Sequence, residues 1–366
     1  MKIAIDARTM GSRPSGIGMY LFDFLKELIK YEDLQVILIS DVATSEHMKY
    51  FANKGIEIRQ LGEIIYRSRN VYQYFDFVQK QLDEIKPDVF WEVNSVVPVK
   101  LKGNQKNVIT IHDMFPITHV KYYGNVYKMY FKYGIGRSLK QIDGIIYNSI
   151  QSKITTEAIF KKAREIPNVN GYIIVKQLKH KPEIKDDNFF FYLGNMEMRK
   201  GVDVLLEGYR KYRNMGGTKP LIIAGKMQEE VIKQLLTKAM DEVEGITYLD
   251  YVTEEKTREL FATCSAFVFP SRAEGFGMPV IEAMEYHKPV IASDLDIYKE
   301  VVDNVIETFD MEGVKEVDRC AQNLANAMLN SKLEVDSSKY DEICNRYSAS
   351  ILGKRVYDFL MEVAGQ

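Results

Sequence analysis

Two carboxylates with seven residues between them, Glu274 and Glu282, stand in the stretch FPSRAEGFGMPVIEA at residues 269–283. The stretch follows an apolar strand, turns on two glycines and enters a predicted helix near Pro279, since proline fits the first turn of a helix. Backbone N–H groups at such a helix start can donate to hydroxyls or to a phosphate. Glu274 in the loop and Glu282 in the predicted opening turn can therefore line one ligand. Taken singly, Glu274 is more simply interpreted as a solvated loop acid and Glu282 as an acid that complements the helix dipole.

Two adjacent cations, Arg199 and Lys200, follow another predicted strand in YLGNMEMRKG at residues 192–201. At a helix start they would neutralise a diphosphate, the arginine through its planar fork and the lysine as a point charge. Adjacent lysine and arginine residues usually lie on the solvated surface. The motif alone therefore does not decide between a diphosphate site and an exposed surface pair.

The first half of the chain offers a glycine motif, SGIGMY, at residues 15–20. Gly16 and Gly18 open the first long predicted helix and allow close approach of a ligand to the backbone. A dinucleotide-binding loop is the alternative. It is disfavoured because Leu21 replaces the third glycine and because about nine residues separate the predicted strand from Gly16, where that fingerprint requires an immediate turn.

A histidine, His112, lies at the end of another predicted strand, in IHDMFP at residues 111–116. A single histidine at a strand end is often an ordinary packing residue.

Together these segments resemble the family 4 retaining glycosyltransferases of GT-B fold. EGFGMPVIEA is similar to the family's EX7E signature, SGIGMY to its SGIGRY element and IHDMFP to its HDxxP element. Asn195 stands where many members have an arginine, but Arg199 and Lys200 match a subset that resembles mannosyltransferases. The resemblance covers nearly the whole chain.

The resemblance implies a role for each matched residue. Glu274 would lie at the hexose near the reacting carbon, His112 would reach the hexose from the first half, and Glu282 would bind the ribose hydroxyls. Arg199 and Lys200 would hold the diphosphate. The remaining predicted ligand contacts are Gly16 and Gly18 in the first half, the backbone of Gly275, Phe276, Gly277 and Met278, and Tyr251 and Val252 around the base.

The same resemblance implies transfer of a hexose, with retention, from a nucleotide sugar to a glycan or lipid-linked glycan in cell-surface polysaccharide synthesis. GDP-mannose is the first expected donor, with UDP- and dTDP-sugars next, and no further cofactor is expected. A nucleotide-sugar epimerase, a glycoside hydrolase and a non-catalytic sugar-binding protein remain as alternatives.

No metal site is predicted. Cys264, Cys320 and Cys344 lack metal-ligand spacing. Asp294-Leu295-Asp296 resembles the DxD of metal-dependent transferases, but it falls in a predicted strand-to-helix turn, where capping is the expected role.

The elements that must position these residues follow an alternating pattern. Short apolar strands alternate with longer amphipathic segments, which is typical of α/β folds with parallel sheets. The length of 366 residues fits two domains. We predict strands at 3–5, 36–39, 89–91, 108–111, 145–147, 189–193, 221–224, 246–249, 266–269 and 290–292.

Two Rossmann-like domains are therefore expected, with their parallel sheets facing across a cleft. Residues 1–168 form the acceptor domain, 169–188 a connection and 189–345 the donor domain. Residues 346–366 form a helix that packs back on the first domain.

Composition limits the partners. The net charge of −2 does not favour nucleic acid. The start of the chain does not resemble a signal peptide, and the apolar runs are shorter than the roughly 20 residues of a membrane helix. A cytoplasmic protein is expected. Residues 121–133 interleave tyrosines with lysines and favour a packed helix with snorkelling lysines, with contact to an acceptor or an anionic membrane as the alternative.

Overall fold

The computed structural model describes residues 1–63, 71–178, 185–311, 316–331 and 334–365. The chain divides into two compact units, one of Met1–Ile174 with Tyr347–Gln366 and the other of Val175–Arg346. The boundary at residue 174 falls within the predicted connection, of which residues 179–184 lie outside the described ranges.

The first unit is built on a seven-stranded parallel sheet in the order β3-β2-β1-β4-β5-β6-β7. Its central strands are buried on both faces, as expected for a parallel sheet covered by helices. Parallel pairing brings the carboxyl ends of the strands to one edge. The strands are β1 Lys2–Asp6, β2 Gln35–Ser40, β3 Glu57–Gln60, β4 Val89–Glu92, β5 Lys106–Ile111, β6 Gly144–Tyr147 and β7 Asn168–Asn170.

Helices connect these strands. The hydroxyl of Ser15 caps the first helix by accepting a hydrogen bond from the Gly18 amide, and Leu21, Leu25 and Leu28 bury one face of it. The helices are α1 Gly16–Leu28, α2 Glu46–Asn53, α3 Val71–Ile85, α4 Phe115–Thr118, α5 Val120–Tyr123, α6 Asn125–Ser138 and α7 Ile150–Ile159, with a 3₁₀ turn at Lys161–Glu165.

The second unit has a six-stranded parallel sheet in the order β10-β9-β8-β11-β12-β13. The strands are β8 Phe190–Leu193, β9 Leu221–Ala224, β10 Ile246–Leu249, β11 Ala266–Phe269, β12 Val290–Ser293 and β13 Glu307–Phe309. The helices are α8 Val202–Asn214, α9 Glu230–Glu242, α10 Glu254–Thr263, α11 Met278–Glu285, α12 Asp296–Val301, α13 Val317–Asn330 and α14 Ser337–Arg346, with a 3₁₀ turn at Met198–Lys200.

The last helix, α15 Ala349–Gly365, belongs to the first unit. It packs on α1 and β7, where the rings of Tyr31 and Tyr357 stack with their centroids 3.8 Å apart and Arg355 donates to the Asn170 carbonyl. Within the described ranges, no helix has the length and apolar character needed to cross a membrane.

The predicted α/β class with two parallel sheets is confirmed, and each predicted strand overlaps an observed one. Three observed strands, β3, β7 and β13, were not predicted. All three lie at sheet edges, where a strand need not be apolar on both faces, and each is short and rich in polar residues. The predicted connection is wrong at residues 169 and 170, because they belong to β7.

Candidate active site

Two loops of the second unit meet because their strands are neighbours in the sheet. Residues 198–201, the cationic turn, follow β8, and residues 270–277, the acidic loop, follow the adjacent strand β11. Both leave the carboxyl edge of the sheet, where open α/β sheets bind ligands. The sheet order therefore brings together two motifs that are about 70 residues apart in the sequence.

The centre of this arrangement is an ion pair between Lys200 and Glu274. The lysine Nζ lies 2.7 Å from the Glu274 Oε1 and 5.3 Å from the centroid of the Phe269 ring. The two side chains are only 14% and 8% exposed, so water screens the pair weakly. The motifs predicted that Lys200 contacts the diphosphate and that Glu274 contacts the hexose. They did not predict that the two side chains pair.

Arg199 is held by the same two loops. Its Nη1 donates to the Ala273 carbonyl at 2.9 Å, and its Nη2 donates to the Glu197 carboxylate at 2.6 Å. The guanidinium therefore lies beside Lys200 and Glu274 with its orientation fixed from both sides.

Glu282 lies farther along α11 than expected. The helix begins at Met278, so Glu282 is its fifth residue, and the prediction that it stands in the opening turn is wrong. Burial raises the pKa of Glu282 to about 7, the neighbouring Lys176 ammonium opposes that rise, and Glu254 adds to it. An acid with this pKa changes its charge near neutral pH.

The remaining predicted donor contacts differ in exposure. Gly275 and Met278 are half-buried and the Phe276 ring is buried, which leaves the backbone of this segment to meet a ligand. Gly277 precedes α11 in the left-handed conformation. In the loop after β10, Tyr251 is 84% exposed and Val252 is half-buried.

In the first unit, His112 is held in a defined tautomer. The Asn148 side-chain amide donates to its Nδ1 at 2.7 Å, so Nε2 carries the proton and donates to the Val93 carbonyl at 2.9 Å. Burial lowers the pKa of His112 to about 4, and the bond to Val93 opposes that shift. The ring is therefore neutral at physiological pH, and it can meet a ligand through a ring nitrogen only by exchanging one of these bonds.

Asn148 was missed by the sequence analysis. It follows β6, the neighbour of β5 that carries His112, and a polar residue directly after a strand end was the available signal. The backbone carbonyl of His112 also accepts from the Ser152 hydroxyl at 2.9 Å.

The two glycines of the SGIGMY motif, Gly16 and Gly18, have separate roles. A side chain on Gly18 would lie 2.2 Å from the Thr9 carbonyl, so this glycine is required by packing within the chain. Gly16 faces open space at the start of α1 and leaves the backbone there accessible.

A buried carboxyl pair was also missed. Asp6 and Glu92 end the adjacent strands β1 and β4 in register, and the Arg8 guanidinium lies 3.5 Å and 3.3 Å from their oxygens. The Tyr74 hydroxyl donates to Asp6 at 2.8 Å. Burial, with Asp6 adjacent, raises the pKa of Glu92 well above its usual value. Asp6, an acid at the end of an otherwise apolar strand, was the available signal in the sequence for this pair.

The Asp294-Leu295-Asp296 segment does not cap its helix. Leu295 is the N-cap residue of α12, and Asp296, its first residue, pairs with Lys299 at 2.9 Å, so the predicted capping role is wrong. Among the described residues, no group of three or more His, Cys, Asp or Glu side chains has the geometry of a metal site. Metal independence stays a prediction.

An aromatic and basic surface covers α5 and α6. The interpretation as a packed helix is wrong for several of its residues, since Val126, Tyr127, Met129, Tyr130 and Tyr133 are exposed. Residues 114–142 contain five Lys and Arg and no acid, so the segment is cationic.

Comparison with known proteins identifies the second unit. Residues 175–342 match the family model Glycosyl transferases group 1. The O-antigen chain mannosyltransferase RfbU of Salmonella typhimurium is 23% identical over 310 residues, which cover 82% of this chain and 84% of that protein.

Two solved structures share the whole fold. WaaG, a glycosyltransferase involved in lipopolysaccharide biosynthesis, aligns over 100% of both chains with a TM-score of 0.69 and 13% identity. HepE of Anabaena in complex with UDP aligns over 99% of both chains with a TM-score of 0.70 and 14% identity. Residues 175–342 therefore carry a group 1 glycosyltransferase domain, and the chain as a whole has the GT-B fold and is similar to an O-antigen mannosyltransferase along most of its length.

Proposed function

We propose that this enzyme transfers a hexose, with retention of configuration, from a nucleoside diphosphate sugar to a glycan or lipid-linked glycan. The name and similarity of RfbU support mannose as the sugar and cell-surface polysaccharide as the product. GDP-mannose is the first donor to try, and UDP- or dTDP-sugars come next because HepE was solved with UDP. The epimerase, hydrolase and sugar-binding alternatives are not favoured by these relatives.

The observation that carries the proposal is the Lys200–Glu274 pair beside Arg199 at adjacent strand ends. Transfer requires stabilisation of the departing diphosphate, and fixed cations do this without reorganisation during the reaction. Lys200 would neutralise the diphosphate as a point charge, and Arg199 would bind it through its fork. Glu274 would accept hydroxyls of the hexose, and Glu282 those of the ribose.

Two chemical routes to retention fit these residues. In a double displacement, the Glu274 carboxylate attacks the anomeric carbon and expels the nucleoside diphosphate. The acceptor hydroxyl then displaces the carboxylate and gives its proton to the departing diphosphate. In a front-face reaction, the leaving phosphate takes the proton of the acceptor hydroxyl as that oxygen bonds to the same carbon. His112 is neutral and would serve in either route as a hydrogen-bonding group rather than as a base.

A donor panel with two site variants tests the proposal. Purified enzyme is mixed with acceptor and with each of GDP-mannose, UDP-glucose, UDP-galactose and dTDP-rhamnose, and nucleotide release is measured with and without EDTA. Nucleotide release that EDTA leaves unchanged is expected for one donor, with retention shown by the anomeric coupling of the product. Lys200→Ala and Glu274→Ala should abolish transfer, whereas Lys299→Ala, which breaks an exposed pair in the same unit, should not. Near-normal turnover in either site variant would refute the assignment.

The surface of α5 and α6 supports peripheral contact with the inner face of the membrane. Exposed tyrosine, valine and methionine side chains beside lysines suit the boundary between anionic headgroups and acyl chains. A lipid-linked acceptor would reach the enzyme from that surface. Cytoplasmic location is part of the same proposal.

A further inference from the structure

A second buried ion pair lies under the candidate donor site. Arg272, in the acidic loop, donates from Nη1 and Nη2 to the two carboxylate oxygens of Asp203 at 2.6 Å and 2.7 Å. The side chains are 6% and 7% exposed. This is the bidentate geometry that makes arginine–carboxylate pairs directional.

The same arginine contacts the backbone of the cationic turn. Its Nη1 donates to the Met198 carbonyl at 2.6 Å, and its amide donates to the Arg199 carbonyl at 2.9 Å. Asp203 is the second residue of α8, the helix that begins directly after that turn. Arg272 therefore joins three pieces of chain: the acidic loop, the cationic turn and the start of α8.

The close approach of the two loops leaves little room for adjustment. Gly201 has a φ of +69°, and a side chain there would lie 1.8 Å from the Pro270 carbonyl. Arg199 returns a hydrogen bond to the Ala273 carbonyl, one residue before Glu274. The positions of Lys200 and Glu274 are thus set by contacts that centre on Arg272.

Stability alone does not account for such a pair. Replacing a buried ion pair by uncharged side chains of similar volume is often neutral or stabilising, whereas removing one partner leaves a costly unpaired charge. Groups that act on a reacting bond must be held to within about 0.5 Å by their supporting contacts.

We propose that Arg272 and Asp203 are positioning residues that hold Arg199 and Lys200 at the place of the donor diphosphate, opposite Glu274. The inference rests on the proposed function and deepens it. Neither residue touches the substrate.

A double variant separates this role from a purely structural one. Asp203→Asn with Arg272→Met removes both charges, so no buried charge is left unpaired. The control is Asp303→Asn with Arg346→Met, which removes another bidentate pair of the second unit, more exposed than the first, with N–O distances of 3.0 Å and 2.6 Å. For each protein, the thermal midpoint, the Kd for GDP and UDP, and kcat and KM for the donor are measured.

In the first variant, the thermal midpoint should stay within about 3 °C of wild type. Its kcat/KM for the donor should fall at least tenfold, with weaker binding of the nucleoside diphosphate, while the control keeps wild-type values. Arg272→Lys should also lose activity, because an ammonium keeps the charge but cannot make the parallel bonds.

Unchanged kinetics in the double variant, or full activity in Arg272→Lys, would overturn the positioning role and leave the proposed function intact. Equal losses in the control pair would overturn it as well. A wild-type enzyme that binds no nucleoside diphosphate and transfers no sugar would instead overturn the proposed function, and this assignment with it.

Discussion

At the scale of single residues, the charge on Glu274 has two opposing consequences. In the proposed reaction the carboxylate accepts hydroxyls of the hexose, but in the structure it also pairs with the Lys200 ammonium at 2.7 Å. A diphosphate must compete with it for that cation, because both are anions and the site is poorly screened.

We therefore expect Glu274→Gln to bind nucleoside diphosphate more tightly than wild type, by about three- to tenfold for a net gain of roughly 1 kcal/mol, while it loses transfer. Calorimetric titration with GDP and UDP at pH 8 measures this. Glu197→Gln, which removes the partner of Arg199, is the matched comparison. Weaker nucleotide binding by Glu274→Gln would show that the pair helps to organise the site instead of competing with the ligand.

We expect the proposed contact of Glu282 with the ribose to make donor binding depend on pH. Its pKa of about 7 means that the carboxylate, which accepts hydroxyl hydrogen bonds, is present above pH 7 and is lost as the pH falls. Affinity for an intact nucleotide sugar should fall severalfold, on the order of fivefold, between pH 8 and pH 6.

Two features make that measurement specific. The diphosphate of a nucleotide sugar does not titrate in this range, and His112, with its pKa of about 4, stays neutral throughout. Glu282→Gln should bind equally well at both pH values. An unchanged pH profile in that variant would assign the dependence to another group.

At the scale of single elements, helix α6 has a test of its own. Substitution of Val126, Met129 and Tyr130 by serine removes apolar surface from an already exposed face, so the fold should persist. Sedimentation with phosphatidylglycerol vesicles should fall at least fivefold, because the apolar contribution to interfacial binding is lost. Vesicles of phosphatidylcholine alone should pellet neither protein.

The control is a triple serine variant of α9 at Val231, Leu235 and Met240, which are also exposed, by 38–50% against 53–85% for the three residues of α6. It should sediment like wild type. A wild-type protein that ignores anionic vesicles, or an equal loss in both variants, would remove the membrane proposal.

Elements also differ in how far the sequence predicts them. The apolar strands were found because both of their faces are buried, which leaves a continuous run of Val, Ile and Phe. The edge strands EIRQ, NVN and ETF were not found, because they are short and rich in polar residues and so leave no apolar run in the sequence. The start of α11 was placed one residue late, near Pro279, and this shifted Glu282 into the wrong turn.

At the scale of the whole molecule, the raised pKa of Glu92 makes the free energy of unfolding depend on pH. The folded state raises the pKa of Glu92, so it keeps a proton that the unfolded chain loses above about pH 4.3. The contribution of Glu92 to the free energy of unfolding is therefore fully present below that pH. It is lost as the pH rises towards the folded pKa, and the free energy of unfolding then falls with a slope approaching about 1.4 kcal/mol per pH unit.

Glu92→Gln should remove this slope. The amide mimics the protonated acid, since its oxygen can still accept from the Asn94 amide and its NH₂ can donate to Asp6. Relative to wild type, the free energy of unfolding of the variant should improve as the pH rises from 5 to 8, as measured by urea denaturation. A variant that becomes relatively less stable with rising pH would show that Glu92 is ionised in the folded protein.

By itself, the sequence determined the fold class, the two sheets and the motifs that are proposed to carry the chemistry. These depend on local features: apolar runs of strand length, glycines after strands and the spacing of Glu274 and Glu282. Only the tertiary structure decided which residues meet. The Lys200–Glu274 and Arg272–Asp203 pairs each join segments about 70 residues apart, and Asn148 reaches His112 from the next strand of the sheet. Such contacts follow from the order of the strands, which is a property of the assembled sheet. Assembly also buries Glu92, His112 and Glu282, and this burial shifts their pKa values.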